Sequence, residues 1–198
     1  MRRGCTAQGE VQLKKGRGPR HLVFHPKHQC AYVGNELEST VSVLRYNAPT
    51  AGAGYTVHDA AEPDALLAHV HTLSTLPEEF RNEGFVTPTG VWKAASHSSE
   101  IRLHPNGRYL YVGNRGHDSI CVLAIDEVDG SLSVVEIHPS GGRCPRNFNF
   151  DRTGSFLVVG NQDTNTLNTF SICPKSGCLA EVHTLELPSP NFVYAVPH

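Results

Sequence analysis

Three arginines and two glutamates stand at matched offsets in a sequence that repeats itself. Glu36 and Arg115 each directly follow a Gly-Asn pair, Arg20 and Arg146 hold the same place in two copies of the repeat, and Glu100 takes the position that His21 and Asn147 hold in the other copies. Arginine keeps its proton and offers a planar fork of donors, so a group of arginines can hold a phosphate or the oxyanion that develops when water attacks a carbonyl. Arg20, Arg115 and Arg146 fit that role. A positioned base contributes on the order of 10² to 10⁴ in rate to such an attack, and Glu36, Glu100, His21 and His117 are the candidates. His21 would point away from Arg20 if both lie on a strand, so it is expected to pack between sheets. His117-Asp118-Ser119 are adjacent, which excludes triad geometry, and a turn accounts for them.

The elements that must position these residues come from the repeat. Arg20-His21-Leu22-Val23-Phe24-His25-Pro26 with Tyr32-Val33-Gly34-Asn35 returns as Ile101-Arg102-Leu103-His104-Pro105 with Tyr111-Val112-Gly113-Asn114. It returns again as Phe148-Asn149-Phe150-Asp151 with Val158-Val159-Gly160-Asn161, and 11 positions separate Phe24, Leu103 and Phe150 from the following Asn in each copy. Each copy reads as a strand, a tight turn, a second strand, a turn at Gly-Asn and a third strand. Alternating fourth strands follow at Leu132 to Ile137 and Leu179 to Leu187. Four antiparallel strands per repeat predict an all-β protein built of β-propeller blades, and blade equivalence brings residues distant in sequence to a similar radius around one axis.

Three complete blades are expected, at about 18–80, 98–138 and 144–188 of a single partial domain covering 1–198. Partial blades flank them, a fourth-strand remnant at Val11-Gln12-Leu13 and a first-strand start at Asn191 to Val196. The Asn residues of Gly-Asn lie 79 and then 47 positions apart, so the first copy carries insertions, at Asn47 to Asp64 and Asn82 to His97. Trp92, in the second, is expected to pack under a loop. His25 and His104, each before a turn proline, read as structural. A ring of typically 4–8 blades cannot close from three and a fraction. The chain is then part of a longer propeller, or self-associates through its open sheet edges, or forms an open arc; the first reading is favoured.

Composition excludes other classes. The 198 residues are 39% hydrophobic and 18% charged, and 17 Lys+Arg against 19 Asp+Glu give a net charge of -2. No bulk positive field would draw such a chain to nucleic acid or an anionic membrane, and no apolar run reaches the roughly 18 residues of a membrane span. The start at Met1-Arg2-Arg3-Gly4-Cys5 lacks the apolar core of a secretory signal, so a cytoplasmic location is expected. Six cysteines form no C-x-x-C pair, the 12 histidines include no H-E-x-x-H, and no Gly-rich loop opens a helix. Neither a metal nor an organic cofactor is expected.

Gly18-Pro19-Arg20-His21, Val33-Gly34-Asn35-Glu36-Leu37, Tyr111-Val112-Gly113-Asn114-Arg115-Gly116-His117-Asp118-Ser119 and Cys144-Pro145-Arg146-Asn147-Phe148 resemble the lactonase-type seven-bladed propellers. These comprise the bacterial-type 6-phosphogluconolactonases and the fungal carboxymuconate-lactonising enzymes. The resemblance runs from about Gly9 to the end and implies a hydrolase that opens the cyclic ester of a phosphorylated sugar acid at one mouth of the central channel. By motif match it places the catalytic residues at Arg20, Glu36 and Arg115; Arg146 and Glu100 are expected as further substrate contacts from their blade positions alone. The family's histidine belongs to an earlier Pro-His motif that this sequence does not contain. A non-catalytic propeller that serves as a binding or protein-interaction scaffold is the alternative. The arginines and glutamate at otherwise repeated positions favour the enzyme, because a scaffold has no need to vary them.

Overall fold

Alternating apolar residues on both sides of each Gly-Asn pair fold into antiparallel meanders. The computed structural model describes residues 10–46 and 67–195. The first four-stranded sheet holds β1 (Pro19–Phe24), β2 (Cys30–Asn35), β3 (Thr40–Tyr46) and β4 (Leu67–Ser74). A 3-10 turn at Glu78–Phe80 and a short hairpin, β5 (Gly84–Val86) with β6 (Trp92–Ala94), lead into the second sheet. That sheet holds β7 (His97–Leu103), β8 (Tyr109–Arg115), β9 (Ser119–Ile125) and β10 (Leu132–Pro139). The third holds β11 (Pro145–Phe150), β12 (Phe156–Asn161), β13 (Thr166–Ile172) and β14 (Leu179–Glu186). Strands are paired in sequence order within each sheet, as in propeller blades, and the three blades form an arc. The insertion expected at Asn47 to Asp64 lies outside the described residues. Among the described residues no helix is long and apolar enough to cross a membrane.

The blades are joined face to face by two cores. Tyr32, Val41 and Val43 of the first blade pack on Ile101, Leu110, Val112 and Leu123 of the second. Tyr111, Ile120 and Val122 of the second pack on Phe148, Leu157, Val159 and Phe170 of the third. Each such side chain contributes roughly 1.5–3 kcal/mol when fully buried. Polar stitches repeat at the same interfaces. His25 Nε2 lies 2.8 Å from the Gly107 carbonyl of the next blade while its Nδ1 accepts from the turn N–H of His28, and His104 repeats the contact to the Gly154 carbonyl at 2.8 Å. Tyr32 and Tyr111 donate to the Gly130 and Gly177 carbonyls of the following blade. The two histidines are structural, as read from the sequence. In the third copy the corresponding residues are Asp151, which caps its own turn at Thr153 and Phe156, and Val158.

Both flanking partial blades differ from expectation. Val11 to Leu13 is not a strand; Val11 and Leu13 are half-buried against Ala31, Val33 and Leu44 on the leading face of the first blade. Asn191 to Ala195 is not a strand either, while Val196 lies outside the described residues. This tail runs beside β11, held by side chains: Val193 N donates to Asn147 Oδ1 at 2.8 Å, and its carbonyl lies 3.5 Å from Asn149 Nδ2.

Each innermost strand, β1, β7 and β11, carries an irregularity at the same place. Register shifts by one residue between Pro19 and His21, between Ser98 and Ile101, and between Pro145 and Asn147, opposite the Gly-Asn of the neighbouring strand. The Gly there is required by close approach in two copies. A Cβ on Gly113 would lie 2.5 Å from Ser99 Oγ, and one on Gly160 2.8 Å from the Pro190 carbonyl.

Candidate functional site

The bulges aim the site residues. An extra residue in one strand of an antiparallel pair bends that strand and turns its side chain out of the alternation. In β1 and β11 the extra residues are Arg20 and Arg146. Glu36 and Arg115 enter from turns anchored by the preceding asparagine, which is fully buried in each copy. Asn114 Nδ2 donates to the Thr75 carbonyl at 3.0 Å and its Oδ1 accepts from Thr75 Oγ1 at 2.7 Å, tying the turn to the end of the previous blade.

Arg20, Glu36 and Arg115 meet at the end of the arc where these turns lie. Arg115 Nη2 donates to Glu36 Oε1 and, at 3.1 Å, to the Ser98 carbonyl. Arg20 Nε lies 3.7 Å from Glu36 Oε2, and Arg20 Nη1 donates to the Ser99 carbonyl. Desolvation acts to raise the pKa of Glu36, but the hydrogen bond and charge of Arg115, with Arg20 and His97, hold it below the ordinary carboxylate value. Burial lowers the pKa of Arg20, and the charges of Arg115 and Arg146 add to that effect. Glu36 is shared by Arg20 and Arg115, while Arg146, near enough to Arg20 for its charge to act there, makes no hydrogen bond or ion pair among the described residues. Such a mouth can take up an anion.

A second line of contacts crosses the innermost strands. His21 Nδ1 lies 3.2 Å from Glu100 Oε1 and 3.2 Å from Arg20 Nη1. Glu100 is buried; its Oε2 accepts from Asn147 Nδ2 and lies 3.9 Å from Arg102 Nη2. Arg20, His21, Glu100 and Arg102 border a groove of about 790 Å³ along the inner edge of the arc. A smaller cleft of about 400 Å³ beside Arg115 is bordered by His97, Asp118, Arg143 and Cys144.

The structure corrects two expectations. His21 does not pack between blades but shares the groove with Arg20, because the bulge cancels the alternation that would have separated them. Trp92 does not pack under a loop; it stands on the β5–β6 hairpin, 55% exposed, with Phe85, Val86 and Val91 also exposed. His117 and Ser119 do share a turn, with Nδ1 and Oγ 2.8 Å apart, but Asp118 accepts instead from Gly116 N and Cys144 N, so no triad is assembled. His97 was absent from the sequence candidates. It is the cross-strand partner of Arg115, and burial followed by the charge of Arg115 lowers its pKa. The signal was available in the register of β7 against β8. Cys30, Cys121, Cys144, Cys173 and Cys178 are free thiols, and among the described residues no group of three or more His, Cys, Asp or Glu is placed to hold a metal ion.

Known proteins share this architecture. Residues 2–195 match the family model described as lactonase, 7-bladed beta-propeller. The chain is 35% identical over 186 residues to the 6-phosphogluconolactonase of Bacillus subtilis (strain 168), an alignment covering 93% of this chain and 46% of that one. It superposes on a crystal structure from Lactobacillus plantarum with a TM-score of 0.73 at 28% identity, covering 92% of this chain and 46% of that one. On the periplasmic gluconolactonase of Pseudomonas aeruginosa the TM-score is 0.71 at 28% identity, covering 90% and 42%. The chain therefore spans about half the length of the curated relatives it matches. With the three bulged meanders and the match along nearly its whole length, the chain belongs to the lactonase seven-bladed β-propeller family.

Proposed function

We propose that the protein contributes to hydrolysis of a sugar lactone, opening the cyclic ester of a phosphorylated sugar acid. The observation that carries this reading is the convergence of Arg20 and Arg115, from two consecutive blades, on the carboxylate of Glu36, with Arg146 of the third blade near enough to Arg20 for its charge to act there. Glu36 and the Ser98 and Ser99 carbonyls hold Arg115 and Arg20 in place before substrate arrives. That preorganisation favours the oxyanion formed when water adds to the lactone carbonyl. Arg146, without an ion pair among the described residues, is assigned to the phosphate. Neither a metal nor an organic cofactor is part of this mechanism.

Phosphorylated sugars do not cross membranes unaided, so the reading carries a cytoplasmic location, where the substrate would be made. It also includes self-association. Phe156, 41% exposed, and half-buried Leu167 lie on the trailing face of the third blade, at positions matching Tyr109 and Ile120, which are buried against a following blade. A second copy presenting its first blade could cover them.

The test is turnover of 6-phosphogluconolactone by the purified chain, with unphosphorylated gluconolactone as comparator. Hydrolysis above the spontaneous rate, preferring the phosphorylated lactone and falling about 10²–10³-fold in Arg115→Ala, is expected. A monodisperse sample that leaves the spontaneous rate unchanged would overturn the reading.

A further inference from the structure

Water that attacks a lactone must give up a proton, and Glu36 is badly placed to receive it. Both its oxygens face arginines, and these hold its pKa below the ordinary value. His21 differs on each point. Its side chain is 42% exposed and borders the groove beside Arg20, and only its Nδ1 has partners; Nε2 contacts no protein acceptor or donor among the described residues.

The orientation of the ring follows from a chain of contacts whose donors can be assigned in order. Val193 N–H can only donate, so Asn147 must present Oδ1 to it, at 2.8 Å. The amide NH2 of Asn147 then faces Glu100 Oε2 and donates. Glu100 Oε1 accepts from Ile101 N at 3.3 Å and faces His21 Nδ1 at 3.2 Å. A carboxylate calls for a proton on that nitrogen. Arg20 Nη1 lies equally close to Nδ1 and keeps a second hydrogen beside the one given to the Ser99 carbonyl, but a guanidinium gains less from a neutral acceptor than a buried carboxylate gains from an N–H. With Nδ1 protonated, the free lone pair is on Nε2. His21, Glu100 and Asn147 hold the same position on three consecutive innermost strands, so imidazole, carboxylate and amide form one line that runs from the groove into the buried interface.

We propose that His21 is the proton-accepting residue of this site and that Glu100 is the positioning residue that keeps Nε2 bare toward the groove. The inference rests on the lactone-hydrolysis reading. The water oxygen bonds to the carbonyl carbon, one water proton passes to Nε2, and the carbonyl electron pair moves onto an oxyanion facing Arg20 and Arg115. Collapse breaks the bond to the ring oxygen, and the imidazolium returns its proton to that departing oxygen. Lactone and water become the open hydroxy acid, and the enzyme is restored.

The experiment joins 15N-histidine NMR of the ring nitrogens to steady-state kinetics on 6-phosphogluconolactone. The wild-type protein should show His21 with Nδ1 protonated. Glu100→Ala should reverse that tautomer: with the carboxylate gone, Arg20 Nη1 is the group left facing Nδ1 and donates to it, which leaves the proton on Nε2. His21→Ala should lose about 10²–10⁴ in kcat at little change in KM, and added imidazole should restore part of it. A wild-type tautomer with Nε2 protonated would overturn the proposal. So would His21→Ala with wild-type kcat, and in that case, if Arg115→Ala is inactive, the hydrolysis reading stands alone. Absence of turnover in the wild type would remove the hydrolysis reading, and the catalytic role of His21 with it.

Discussion

The contact between Arg115 and Glu36 joins the second blade to the first, and its strength can be measured by a double-mutant cycle of Glu36→Gln, Arg115→Met and the pair. At the 3.7 Å separation of Glu36 from Arg20, a unit charge pair at an effective dielectric near 20 gains about 4 kcal/mol gross. The hydrogen-bonded Arg115 contact is closer. Against this stand desolvation and screening, since the Glu36 side chain is 33% exposed and that of Arg115 17%. Exposed pairs give about 0.2–1 kcal/mol and buried ones about 3–5 when broken, so a coupling of about 1–2 kcal/mol is expected near neutral pH. The pH dependence has a definite sign. Glu36 is held below its ordinary value of 4.5, so the coupling is fully present above that value and is lost as pH falls through the lower folded-state pKa. Urea unfolding of the four proteins at about pH 7 and about pH 3 reads both, with midpoint shifts of roughly 0.5–1 M. A coupling within the ~0.3–0.5 kcal/mol of simple additivity at neutral pH, or one that persists unchanged in acid, would refute this account of the cluster.

Glycine substitutions should separate two positions that look identical in the repeat. Gly113→Ala brings a Cβ to 2.5 Å from Ser99 Oγ and 3.3 Å from the Pro145 carbonyl and should destabilise by about 1–3 kcal/mol, whereas Gly34→Ala, whose nearest contacts are 3.7 Å away, should lie well below that in chemical denaturation. Tyr111→Phe removes the 2.6 Å hydrogen bond to the Gly177 carbonyl from a buried interface and should cost about 1–2 kcal/mol, read as a lower thermal midpoint; an unchanged midpoint would mean that the stitch is replaced by another partner.

The repeat made the blades readable because its period and turns recur. It also made Arg20, Glu36, Arg115 and Arg146 candidates, since equivalent blade positions share a radius. The place of His21 was not readable from alternation, which assigns adjacent strand residues to opposite faces. One bulge reverses that assignment locally, and two-residue periodicity carries no sign of an extra residue. A trace did exist in composition: Pro19 and Pro145 stand where the ladder breaks, and proline cannot donate to a ladder. Asp151 and Val158 were visible as departures from His-Pro and Tyr-Val. Their meaning came only with the contacts of His104 and Tyr111, which reach into the following blade.

The residues of the cluster are supplied by three consecutive blades, and two interfaces set their relative positions. Arg20, His21 and Glu36 belong to the first blade, Glu100 and Arg115 to the second, and Arg146 and Asn147 to the third. Each interface has its own buried core and its own His and Tyr stitches, so the spacing among these side chains is determined by contacts made within the three blades. The tail supplies one further constraint, through Val193 N to Asn147, that passes by way of Glu100 to His21. An element that makes no ladder thus helps to orient an imidazole three side chains away. Its position beside β11 is where, by the repeat, the innermost strand of a following blade would run, as β7 runs beside β1 and β11 beside β7.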